Sequence, residues 1–210
     1  MKLYCFPVAP NPTKVRLFLA EKAAAGRPLN VEEITVSLPE GEQNAPEHAA
    51  RNPFKRLPVL ELDDGSYILE SLAMIEYLDE LFPEPSLIGR TARERATARQ
   101  MERILETGVM NPIARYVHST NSPLGLPPNE QEANTARTTL TNTLKILETW
   151  FEDGRQFAAG DDLSVADCTL AAALHFGRFG GERFVDGYPR MAEWDRRYRQ
   201  RPAAKAVLLD

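Results

Sequence analysis

The chain has 210 residues, 43% hydrophobic and 26% charged, a globular composition with room for one domain or two modest ones. A formal net charge of -5 argues against nucleic acid or an anionic membrane as partner, since both ask for clustered Lys and Arg. No apolar run approaches the roughly 18 residues of a membrane span, and no charged-then-apolar leader opens the chain, so a cytoplasmic protein is expected.

From Lys2 to Phe6 the pattern suits a short strand. From Thr13 onward Val15, Phe18 and Leu19 recur at helical spacing, with Glu21 and Lys22 expected to face water. Between the two lies FPVAPNPTK, three prolines in nine residues, a stiff loop that holds the polar Asn11 between Pro10 and Pro12. Val31 to Val36 reads as a second strand, followed by the polar, irregular GEQNAPEHAARNP. PVLEL and DDGSYIL then read as two strands around a tight turn at Asp64 and Gly65. Ser71 opens a helix with Leu72, Ile75, Leu78 and Phe82 along one face, and Pro83 and Pro85 stop it.

After FPEPSLIG strand signals vanish and helical periodicity takes over. Leu140, Leu144, Leu147 and Phe151 form one apolar stripe, leaving Lys145, Glu148 and Glu152 for solvent or another helix. SPLGLPP reads as a connection between helices. Ser164 with Asp167 resembles a capping box, and the helix it starts is apolar on nearly every face, as a buried central helix should be. The fold class is therefore α/β plus all-α, with the order βαβ-ββα over residues 1–82, a linker over 83–90 and a helical domain over 91–210. Cys5 and Cys168 are far apart with no CxxC spacing, and His48, His118 and His175 show no metal-ligand spacing, so neither a redox pair nor a metal site is indicated.

Five blocks in order along nearly the whole chain carry a resemblance: PNPTKVRLFLAEK, GEQNAPEHAARNPFKRLPVLELDDG, ILESLAMIEYLDELFP, LSVADCTLAAAL and YPRMAEWDRRYRQRPA. They resemble the cytosolic glutathione transferase family. The resemblance implies a thioredoxin-like N-terminal domain, glutathione as co-substrate with no metal, and a homodimer joined through residues 72–79 and 92–103. It also implies a cis Leu57-Pro58 bond, with Val59 presenting its backbone to a peptide as an added strand would. Glu70 and Ser71 stand at a helix start, where free N–H groups and the dipole favour a carboxylate and Glu70 can accept from an ammonium. The resemblance assigns them the γ-glutamyl head of glutathione, and it sends Arg56 and Gln43 toward the glycine carboxylate.

The loop after the first strand is implied to position the glutathione sulfur, which reacts as thiolate. Many members carry a serine where this chain has Ala9. The bacterial nu-like class and its fungal disulfide-reductase relatives share an asparagine instead, reading TPN where this chain reads APN. Asn11 can donate to the thiolate from its amide, or it can cap the helix that follows; both readings stand at this point. Cys5, at the end of the first strand, is a competing thiol, although a small strand-borne cysteine is more often buried and inert. The acceptor is expected against Phe6, Val8 and Ala9 on the loop and Met110, Arg115 and Tyr116 in the helical domain. The leading function is transfer of glutathione to a small hydrophobic electrophile. Glutathione-dependent disulfide reduction and non-catalytic glutathione binding are the alternatives.

Overall fold

A run of alternate apolar residues at the N-terminus forms β1 (Lys2–Cys5), whose Leu3 and Cys5 are buried. In the computed structural model, which describes residues 1–208, β1 is an interior strand of a four-stranded sheet in the order β2-β1-β3-β4. It runs parallel to β2 (Glu32–Thr35) with Lys2 opposite Glu32, and antiparallel to β3 (Val59–Glu61) with Leu3 opposite Leu60. β3 and β4 (Tyr67–Ile68) form the hairpin, closed where the Gly65 N–H reaches the Leu62 carbonyl at 3.0 Å with Gly65 at a φ of 83°. Helix α1 (Pro10–Ala24) connects β1 to β2, α2 (Pro46–Arg51) lies in the polar segment before β3, and α3 (Ser71–Leu81) follows β4. This is the thioredoxin-like arrangement, and the remainder of the described chain is helical.

The helical part comprises α4 (Ala92–Leu105), a π-helical turn at Glu106–Met110, α5 (Asn111–Thr120), α6 (Glu130–Trp150), α7 (Val165–Phe179), α8 (Pro189–Arg199) and α9 (Pro202–Val207). Helix α7 is buried without a break from Val165 to Gly177, as its all-round apolarity requires. Its first turn is anchored by Asp167, whose carboxylate accepts from the Ala158 N–H at 2.8 Å, the Ser164 N–H at 2.9 Å and Trp194 Nε1 at 3.2 Å. The stripe on α6 is also enclosed, and Phe151 continues it as the first residue of a short 3-10 turn. Glu148 on the same helix accepts the N–H groups of Arg190 at 2.8 Å and Met191 at 3.0 Å, so it caps α8 rather than facing open solvent.

Two expectations fail for one reason. Glu21 and Lys22 do not face water: they are 3% and 0% exposed, because α1 packs against α3, α7 and α9. Charges on so enclosed a helix need partners. Lys22 Nζ donates to Asp79 at 2.7 Å and to the carbonyls of Phe82 at 2.7 Å and Pro85 at 2.6 Å, tying α1 to the end of α3 and the segment after it. Glu21 accepts both Arg201 Nε and Nη2 at 2.8 Å, and Lys14 Nζ donates to Glu102 on α4 at 2.7 Å. On α3 the enclosed face is Met74, Ile75 and Leu78; Phe82 lies beyond the helix end and is 36% exposed.

Candidate functional site

The loop between β1 and α1 is rigid by chemistry as well as composition. Pro10 is the first helical residue and Pro12 the third, positions whose N–H groups would have no partner in the helix. Thr13 Oγ1 donates to the Pro7 carbonyl at 2.9 Å and Arg16 Nη1 to the same oxygen at 3.3 Å, while the Ala9 N–H closes on Phe6 at 3.1 Å. Helix α1 therefore braces the loop that precedes it. The brace was not evident in the sequence, since a threonine and an arginine inside a helix carry no sign of a backward reach.

The residue preceding the helix is Ala9, with extended backbone and no side-chain cap, so Asn11 sits inside the first turn and the capping reading of Asn11 is set aside. Its side chain is engaged elsewhere: Ser71 Oγ donates to Asn11 Oδ1 at 3.1 Å. An amide that accepts through oxygen leaves its NH2 group, on the other branch of the same carbon, for a different partner, and among the described residues that group makes no hydrogen bond. The two residues that the sequence assigned to sulfur and to the γ-glutamyl end are in contact.

Ser71 begins α3 and is 5% exposed. The residue before it, Glu70, is exposed and has φ 69° and ψ 120°, outside the helical and extended regions open to non-glycine residues. Such a backbone costs on the order of 1–3 kcal/mol and persists where surrounding structure imposes it, commonly at a ligand site. The first N–H groups of α3 lie here too, without intrahelical partners, and a carboxylate is favoured beside them.

The Leu57-Pro58 bond is cis, as the resemblance implies. Val59, however, is 0% exposed and stands opposite Tyr4 inside the sheet, so it has no surface to offer a ligand. Leu57, the residue before the cis bond, is half-buried and lies outside the strand. The turn into β3 is held by the Arg56 carbonyl, which accepts from Asn52 Nδ2 at 2.9 Å and pairs with His48 Nε2 at 3.1 Å; the Arg56 residue itself is exposed. Gln43 occupies a single 3-10 turn, Glu42–Asn44, and its enclosed Oε1 has no hydrogen-bond partner, which marks a position able to satisfy a polar ligand.

The acceptor residues divide. Phe6, Val8 and Ala9 lie half-buried on the braced loop. Met110 is 1% exposed in the π-helical turn and belongs to the core, not to an open wall, because that turn packs against α6 and α7. Arg115 is exposed and ion-paired with Glu132 on α6. Tyr116 binds Arg137 Nη2 at 2.6 Å and Glu182 at 3.0 Å through its hydroxyl. A cleft does meet Val8, but α7 and α8 form it, and Met110, Arg115 and Tyr116 take no part. Cys5 is 1% exposed, and burial together with nearby Glu33 pushes its thiol up to about 11, so it is no competitor for the reacting sulfur.

No helix among the described residues is long and apolar enough to cross a membrane, and these residues hold no group of three or more His, Cys, Asp or Glu arranged for a metal ion. Residues 3–86 match the family model for the glutathione S-transferase N-terminal domain and residues 104–202 that for the C-terminal domain. The chain is 32% identical to glutathione S-transferase 2 of Saccharomyces cerevisiae over 99% of its own length and 89% of the relative's. Its structure is similar to that of Gtt2 from the same yeast, with a TM-score of 0.89 and 32% identity over 99% of this chain and 100% of the other. A glutathione S-transferase domain-containing protein of Marinobacter aquaeolei gives a TM-score of 0.87 at 34% identity, covering 97% and 100% of the two chains. Two domain models in the family's order, and relatives matched along most or all of their length, place the chain in the glutathione S-transferase family.

Proposed function

We propose that this glutathione transferase binds the peptide across the N-terminal domain and uses Asn11 to hold its sulfur as thiolate for attack on a small electrophile. The observation that carries the reading is the contact between Ser71 and Asn11, which turns the amide NH2 of Asn11 away from protein acceptors. A neutral donor aimed at sulfur favours the ionised thiol over the neutral one. The braced loop keeps that donor in place with little entropy left to lose. Glu70 and the N-terminus of α3 receive the ammonium and carboxylate of the γ-glutamyl end, Leu57 pairs with the peptide backbone, and Gln43 and Arg56 lie toward the glycine carboxylate. The thiolate then forms a carbon–sulfur bond as the leaving group departs with its electron pair, the thiol proton having gone to water. The test is an assay of purified protein with glutathione and 1-chloro-2,4-dinitrobenzene beside one with a small glutathione mixed disulfide. Turnover of the aryl halide supports transfer, turnover of the disulfide alone moves the chemistry to disulfide reduction, and tight glutathione binding with neither reaction makes the protein a binder only.

The homodimer belongs to the same proposal. Leu81 and Phe82, 50% and 36% exposed, lie at the end of α3, and α3 and α4 share an exposed flank where Arg99 pairs with Glu76. Residues 72–79 and 92–103 are the proposed contacts around a two-fold axis. Sedimentation at micromolar concentration gives a mass of two chains on this account; one chain refutes it.

A further inference from the structure

Where the end of α7 meets α8, a cleft of about 540 Å³ opens with Val8 on its border, three residues before Asn11. That is the size of a small-molecule site. Four arginines against two aspartates line it, and with Arg196 already held by Glu193 at 2.7 and 3.0 Å the excess of positive charge is modest. One aspartate is already engaged: Asp195 accepts from both Nη atoms of Arg178 and lies 3.4 Å from Arg199 Nε. Arg183 is exposed and pairs with no carboxylate among the described residues. The cleft also has an apolar side, formed by Phe179, at 49% exposed a large ring left open, together with Val8.

An independent observation points to a ligand. His175 lines this cleft with 3% exposure, and neither Nδ1 nor Nε2 has a hydrogen-bond partner. Burial first, then Arg199, Arg178 and Arg16, holds its pKa down to about 4, so the ring is neutral at pH 7 and offers one donor and one acceptor. A buried polar group without a partner is uncommon and costly, and a polar ligand atom at this position relieves the cost.

We propose that this cleft is a binding site for a small aromatic carboxylate, held by Arg183 and Arg178 through its carboxylate, by His175 through a hydrogen bond, and by Phe179 and Val8 through its ring. The guanidinium fork matches a carboxylate in plane. The modest excess of positive charge and the open phenyl ring favour a monoanion with an apolar body over a multiply charged phosphate. That such a molecule serves as acceptor rests on the glutathione reading; that it binds does not.

The test is calorimetric titration of the intact protein, without glutathione, using 4-nitrobenzoate and its neutral counterpart 4-nitrobenzamide. The acid is expected to bind at least tenfold more tightly than the amide. Arg183→Gln, at an exposed position that leaves the fold intact, is expected to remove that preference while glutathione affinity, titrated separately, stays as in the parent. Equal affinity for acid and amide, or acid binding unmoved by Arg183→Gln, overturns the proposal. So does joint loss of acid and glutathione binding in that variant, which would make the cleft part of the glutathione site. If the parent binds the acid but not glutathione, the glutathione reading fails and this one stands.

Discussion

Ser71 and Asn11, sixty residues apart in sequence, meet at 3.1 Å and join the first turn of α3 to the first turn of α1. Because the serine hydroxyl occupies the amide oxygen, it also decides which end of Asn11 is offered to a ligand. On the proposed reading Ser71 has two roles, as a binding residue at a helix N-terminus and as the positioning residue for the sulfur donor.

The two roles separate by mutation. Ser71→Ala should weaken glutathione binding by about 1–3 kcal/mol and also raise the pKa of the bound thiol, because the amide is no longer held. Glu70→Gln should weaken binding by a similar amount and leave the thiol pKa where it was. Calorimetry gives the first quantity and thiolate absorbance the second; unchanged affinity in both variants removes the assignment of the α3 terminus to glutathione.

On the proposed reading neither cysteine takes part in the chemistry. Both are buried, and burial raises the thiol pKa of each. The Cys5→Ala, Cys168→Ala double variant should retain the parent's kcat/KM with either an aryl halide or a mixed disulfide. Loss of activity in a folded double variant, or a protein–glutathione adduct at Cys5 seen by mass spectrometry, would move the nucleophile onto the protein.

Lys22→Met should destabilise the fold by about 3 kcal/mol, since it leaves the enclosed Asp79 without its cation. Adding Asp79→Leu should recover part of the loss, because an apolar pair needs no charge compensation. Denaturant midpoints measure both steps, and a single variant as stable as the parent would show that the pair contributes nothing.

His175 gives stability a pH dependence of definite sign. Its folded pKa, about 4, lies below the ordinary 6.5, so between these values the unfolded chain binds a proton that the folded chain does not. The contribution is complete above pH 6.5 and is lost as pH falls toward 4, by up to about 3 kcal/mol. Arg16 from α1, Arg178 from α7 and Arg199 from α8 set the same direction, and Asp195 beside the last two is their counter-charge. The melting temperature of His175→Gln should fall less between pH 7 and pH 5 than the parent's; parallel curves contradict the assignment.

Much of the architecture was legible because its signals are local. The alternation in β1, the Asp64-Gly65 turn, the stripe on α6 and the apolar α7 each follow from a few adjacent residues. The buried charges were not legible: Lys22 and Asp79 are 57 residues apart, and a lysine near the end of a helix looks the same whether it faces water or a distant carboxylate. At the candidate site, motif resemblance singled out Asn11, Glu70 and Ser71 as candidates and implied the cis proline bond that the structure has, but it gave no sign of the link between Asn11 and Ser71, which arises only when α1 and α3 pack side by side. The cleft lined by His175 was invisible for the same reason, since it is made by the ends of two helices and a loop from the opposite half of the chain.

The central claim is that Asn11 stabilises the thiolate, and absorbance titration of the bound thiol in Asn11→Ala tests it most directly. The account predicts a raised thiol pKa, a fall in kcat/KM of roughly ten-fold to a hundred-fold, equivalent to about 1.4 to 2.7 kcal/mol, and nearly unchanged glutathione affinity. A variant that titrates like the parent and keeps its kcat/KM would contradict it, and the donor would then have to be sought in the backbone of the Phe6 to Ala9 loop.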